Sequence, residues 1–147
     1  MLARRRALAL AVLATTALAP VAVASAAKVP TIDVWNGKTH KKGNGITIYN
    51  VRGQKGVQIQ ISVKCVTTEG EKQQVELSAT GKLADGKVNV TNKKADGVGG
   101  TLTVKAKLPK TKAATGTVSW SIPASNAFAA CTGNDTLKLK HTISHGG

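Results

Sequence analysis

From Gly56 to Val66 the chain alternates without a break. Val57, Ile59, Ile61, Val63 and Cys65 fall on one parity, and Gln58, Gln60, Ser62 and Lys64 on the other. A period of two marks a β-strand with one face buried and one face in water. The same alternation recurs at Ile46 and Ile48, at Val75, Leu77 and Ala79, and at Val88 and Val90. It continues at Leu102, Val104, Ala106 and Leu108, then at Val118, Trp120 and Ile122, and last at Leu137, Leu139 and Ile143. A further strand is expected near Ile32 and Val34. No later window carries a helical stripe of 3.6 residues, and Ser125 to Ala130 has room for one turn at most.

The residues between these segments are turn formers. Asp85-Gly86 separates two apolar runs by two residues, the signal of a tight hairpin. Arg52-Gly53-Gln54-Lys55-Gly56 joins two others, Asp96-Gly97 opens a linker, and Pro109 ends a strand because it cannot donate to a ladder. Seven to eight short strands with close turns predict an all-β, antiparallel β-sandwich, with a β-barrel as the second choice.

The first residues do not belong to that pattern. Arg4, Arg5 and Arg6 precede an uncharged run from Ala7 to Ala19, and Ala24-Ser25-Ala26 follows as a small-x-small site. This is the order of a secretory signal peptide, cleaved after Ala26 or Ala27. The expected organisation is a signal segment over 1–26 and one secreted or extracytoplasmic domain over 27–147. The apolar run is short for a membrane helix, and no second long apolar segment follows.

Export changes the meaning of the two cysteines. An oxidising compartment makes Cys65 and Cys131 a disulfide pair, whereas their spacing has no zinc-like CxxC element. Two cysteines on strands at this separation resemble an immunoglobulin-like sandwich. Trp120 and Ala129 do not follow the positions of that family's core Trp and Tyr, so the resemblance implies architecture only. The stretches ATGTVSW and CTGND also resemble small exported bacterial β-rich proteins that are Ala-, Thr- and Lys-rich, which implies secretion and β structure.

Charge narrows the choice of partners. The chain has 21 Lys+Arg against 7 Asp+Glu. Without the three leading arginines, 18 positive residues remain against the same 7, a net charge of +11. All but Arg52 are lysines. Lysine is a mobile point charge, whereas base recognition favours the planar fork of arginine, so sequence-specific nucleic acid binding is not expected. The alternation turns Lys105, Lys107, Lys138 and Lys140 away from the core, and Lys110 and Lys112 extend the series. On strands, such lysines serve solubility and protect sheet edges. The competing reading is a surface for anionic cell-envelope or extracellular polymers, with these six lysines as its members.

Catalytic chemistry finds no pattern. There is no GxSxG elbow, and Glu69, Glu71 and Glu76 read as a solvated turn and strand face. His141 and His145 lie about 13 Å apart on a strand, too far for one metal ion, and are expected in a disordered terminus. No cofactor or metal is expected. The sequence predicts a non-enzymatic secreted protein that binds anionic polymers. The alternatives are a small hydrolase or inhibitor with a site in its loops, and a structural protein without a dedicated ligand.

Overall fold

A computed structural model describes residues 28–97 and 99–145; the expected signal segment lies outside them. The alternating segments form eight strands: β1 (Thr31–Thr39), β2 (Gly45–Val51), β3 (Gly56–Val66), β4 (Lys72–Ala84), β5 (Lys87–Asn92), β6 (Thr101–Lys107), β7 (Ala114–Ile122) and β8 (Cys131–His145). Each pairs antiparallel with the next, and β8 pairs with β1, so the sheet closes into a barrel. This corrects the expected sandwich, and with it the immunoglobulin-like architecture. A sandwich and a barrel both bury every second residue, so alternation does not separate them. What separates them is the pairing of the first strand with the last.

The register fixes the size of the barrel. Following paired residues from Ala84 leads through Lys87, Lys107, Thr115, Lys138, Lys38, Gly45 and Ser62 and returns to β4 at Glu76. The circuit is displaced by eight residues, from 84 to 76. Eight strands with so small a stagger leave an interior just wide enough for side chains to fill. Trp35, Ile48, Ile59, Val63, Leu102, Val104 and Leu139 are completely buried there. Most outer positions carry Lys, Thr, Ser, Gln and Asn, unlike the continuous apolar band that a lipid-spanning barrel presents; Ile32, Val34, Tyr49 and Val51 on β1 and β2 are the main apolar group there. Among the described residues no helix is long and apolar enough to cross a membrane.

Both ends of the barrel are covered by chain. At the end where β1 begins and β8 finishes, the β6–β7 loop turns inward: Leu108 is buried and the Pro109 carbonyl accepts a hydrogen bond from Trp35 Nε1 at 3.0 Å. At the opposite end the β7–β8 loop crosses to the β3–β4 turn, with Ala129 N donating to Val66 O and Thr68 N to Ala127 O. The Cys65–Cys131 disulfide pins this crossing, with a Cα–Cα distance of 5.5 Å. The β4–β5 seam has two residue pairs next to its turn. There Asp85 and Gly86 both have positive φ, 50° and 68°, the backbone that a two-residue primed turn requires. Beyond the turn the seam is bridged by Ser78 N to Ala95 O and by Asn92 Nδ2 to Ser78 O.

Three sequence expectations change. The strand near Ile32 and Val34 exists, but its inward face carries Asp33, Trp35 and Thr39. Ile32 and Val34 lie outside, opposite Val51 and Tyr49. His141 is not in a disordered tail; it sits in β8, packed against Trp35 with ring centroids 5.1 Å apart. Ile143 follows the inward parity but lies past the rim, where it is exposed.

Candidate functional site

The outward residues of β5 to β8 and of β1 form one continuous face. Lys38, Lys87, Lys105, Lys107, Lys138 and Lys140 stand on it, and all are exposed. The other outward positions are mostly Thr, Ser and Asn, and none is a carboxylate. The seven acidic residues lie elsewhere. Asp33 and Asp135 point into the barrel. Glu69, Glu71 and Glu76 belong to β4 and the turn before it, Asp85 to the β4–β5 turn and Asp96 to the β5–β6 loop.

Register places four of the lysines in one lateral row. Lys87 is opposite Lys107, Lys107 opposite Thr115, Thr115 opposite Lys138, and Lys138 opposite Lys38. Four strand spacings make this row about 19 Å long. Like charges placed directly opposite each other destabilise a sheet by a few tenths of a kcal/mol or more, at about 0.2–1 kcal/mol per pair. The row contains two such pairs, Lys87 with Lys107 and Lys38 with Lys138.

The other sequence-predicted lysines are placed differently. Lys105 is one step along β6 from Lys107, beside Asn89 and Thr117. Lys140 lies opposite Asn36. Lys112 is exposed in the β6–β7 loop. Lys110 turns to the rim, where its Nζ lies 2.9 Å from Asp33 Oδ2. The sequence reading did not include Lys38 and Lys87, because isolated lysines in short strands join the row only through cross-strand register.

Two inward carboxylates organise the ends of the face. Asp33 is fully enclosed and meets three cationic or ionisable groups: Arg52 Nη2 at 3.1 Å, Lys110 Nζ at 2.9 Å and His141 Nε2 at 2.9 Å. Burial pushes its carboxyl up, but the hydrogen bonds from Arg52, Lys110 and His141 outweigh burial and hold it far below the usual carboxylate range. So held, Asp33 is a clasp between β1, β8 and two loops, not a base ready to accept a proton. Asp135 accepts hydrogen bonds from the backbone N–H groups of Lys41, Lys42 and Thr136 at 2.8–3.0 Å. Burial raises its carboxyl, and the Lys42 and Lys41 amides with Thr39 and Thr136 lower it to about 2. This fixes the Lys41–Lys42 turn, and Lys42 Nζ rests 5.4 Å from the Trp120 ring centre.

Sequence reasoning missed both carboxylates. Asp33 sits between two β-branched residues that suggest the opposite parity, although Trp35 in phase with it was a usable signal. Asp135 shares the inward parity of Leu137 and Leu139, and that was its usable signal. Among the described residues no group of three His, Cys, Asp or Glu side chains could hold a metal ion. No family model, curated protein or solved structure matches the chain.

Proposed function

We propose that this is an exported, non-enzymatic protein that binds anionic cell-envelope or extracellular polymers on the outside of its barrel. The observation that carries this reading is the carboxylate-free lysine face of β5–β8 and β1, with four lysines in register across it. Closure of the barrel strengthens it. Lys38, Lys105, Lys107, Lys138 and Lys140 lie on strands paired along both sides, so an edge-guarding role does not explain them. The packed interior favours an external ligand over a small molecule carried inside. The disulfide suits the oxidising compartment that the expected signal peptide would lead to.

The test is retention of the purified protein on immobilised polyanions across a salt gradient. Counterion release makes binding fall steeply with salt, by roughly 0.7 log units per log unit of salt for each contact to a single chain. A Lys38/Lys87/Lys107/Lys138→Gln variant should lower that slope by about 3. A charge-matched Lys55/Lys64/Lys72/Lys82→Gln variant should change it much less. Equal slopes in the two variants would mean that net charge alone drives retention and that the face is not a site.

A further inference from the structure

The lysine face is not flat. Three hollows of about 340, 420 and 450 Å³ lie along the outside of β6 and β7. The first and second share Lys105 and Thr117; the second and third share Lys87, Lys107 and Thr115. They therefore form one trough. Lys41 and Asp135 line one end, Lys112 and Asp85 the other; Asp135 is buried and its oxygens are taken up by the Lys41 and Lys42 amides. The cause is in the sequence of β7, whose outward side chains are Thr115, Thr117, Ser119 and Ser121. These are short; Lys107 and Lys138 stand on either side of Thr115 and Lys105 beside Thr117, whereas Ser119 lies between Thr103 and Asn134. Asp135 holds the Lys41 backbone in place, so the end of the trough is fixed before a ligand arrives.

The geometry points to a slender linear phosphodiester chain, a polyol phosphate, lying along β7. This assignment rests on the polyanion reading above and specifies its ligand. The floor repeats a hydroxyl every second residue, about 6.7 Å along the strand. A chain with six skeletal bonds between phosphorus atoms spans about 7 Å per repeat when extended, the reach of two amino-acid residues. Each phosphate can then take a hydrogen bond from a Thr or Ser hydroxyl below, and those at Thr115 and Thr117 a lysine from the wall, Lys107 or Lys138 and Lys105, with Lys41 near the Ser119 end. The outward positions of β5–β8 have no aromatic residue on which a nucleobase could stack, which disfavours single-stranded nucleic acid. A duplex would rest on the lysine rims without reaching the hydroxyls.

The experiment is calorimetric titration with glycerol phosphate oligomers of two to ten repeats, with oligothymidylate and heparin oligosaccharides of matched charge beside them. Affinity should rise with length and level off near four repeats, because Thr115 to Ser121 spans about 20 Å. Thr117→Leu with Ser119→Leu should weaken the six-repeat oligomer about tenfold and leave the salt slope unchanged, since no charge is lost. Lys105→Gln with Lys107→Gln should weaken it and lower the slope by about 1.4. Lys64→Gln with Lys82→Gln, on the other side of the barrel, should do neither. Thermal melts would confirm that each variant is folded. If affinity climbs steadily with length and the leucine variant binds like wild type, the trough is refuted while salt-dependent binding to the face stands. Tighter binding of oligothymidylate or heparin, equally weakened by the leucines, would overturn the ligand class. Absence of any salt-dependent binding would remove the polyanion reading itself.

Discussion

Replacing Asp33 by Asn tests whether a single enclosed carboxylate holds one end of the barrel together. The substitution keeps size and shape but removes the charge that Arg52, Lys110 and His141 share. A hydrogen bond to a charged group contributes about 1.5–3 kcal/mol. Arg52 and Lys110 are roughly half exposed, at 48% and 54%, so they can turn to water, and each counts like a surface pair of about 0.5 kcal/mol. His141 is 11% exposed and has no such escape, so its loss is worth about 1.5 kcal/mol. The expected cost is about 2–3 kcal/mol at pH 7, or roughly 10 °C in melting temperature for a domain of this size. Urea unfolding followed by tryptophan fluorescence would measure it. The pH dependence gives a second reading. The folded carboxyl ionises well below an unfolded one, which titrates near 3.9. The stabilisation is therefore complete above that unfolded value, and it is lost as pH falls below it toward the folded value. The gap between wild type and variant should narrow as pH drops from 5 toward 2. A variant within about 0.5 kcal/mol of wild type at pH 7, the usual range for a neutral surface change, would show that the clasp is incidental.

Three other outcomes follow from the same structure. Reducing Cys65–Cys131, which closes a separation of 66 residues, should cost about 4 kcal/mol by the chain-entropy model, checked by urea unfolding with and without reductant. Gly116→Ala should cost about 3 kcal/mol in the same assay, because the added Cβ would overlap Lys105 O and Ala106 Cα, backbone atoms that cannot rotate away. Asp135→Asn should speed hydrogen exchange at the Lys41 and Lys42 amides at pH 7, since a neutral amide accepts less well than a carboxylate and turns an N–H₂ toward other donors; in wild type the same loosening should appear only as pH falls below about 3.9 toward the folded value of about 2.

The strands were legible in the sequence because a half-buried strand writes its two faces into alternate residues. Val57 to Cys65 needed no tertiary information, and neither did the Asp85-Gly86 turn or the parity of Lys105, Lys107, Lys138 and Lys140. Closure was not legible, because the pairing of Thr31–Thr39 with Cys131–His145 joins segments about a hundred residues apart, and neither reveals its partner. The lysine row failed to appear for the same reason. Lys38, Lys87 and Lys138 lie far apart in sequence and meet only through the stagger of four separate ladders. Asp33 was hidden by a local rule that is usually right, that a charge between two β-branched residues faces water. The rule fails here because Arg52 and Lys110 arrive from two loops to neutralise it.

The narrowness of the barrel is what leaves its surface as the place for the proposed binding. A larger stagger would tilt the strands further and open a central cavity; a stagger of eight brings opposite walls close enough for side chains to meet. Between adjacent strands Gly37, Gly116 and Gly133 leave no room for a Cβ, which would collide with Lys138 O, Lys105 O or the Trp120 ring of the paired strand. With the inside filled by Trp35, Ile48, Ile59 and their neighbours, and the ends covered by the β6–β7 and β7–β8 loops, selection for binding can act only on outward residues. On β7 those residues can be short, because packing does not constrain them, and on β6 and β8 they can be long and charged. That contrast between adjacent strands is sufficient to make a trough on a convex surface. The two inward aspartates sit at the rims, where each organises cationic residues, Lys110 and Arg52 at one end and the Lys41–Lys42 turn at the other, with its own oxygens engaged by them.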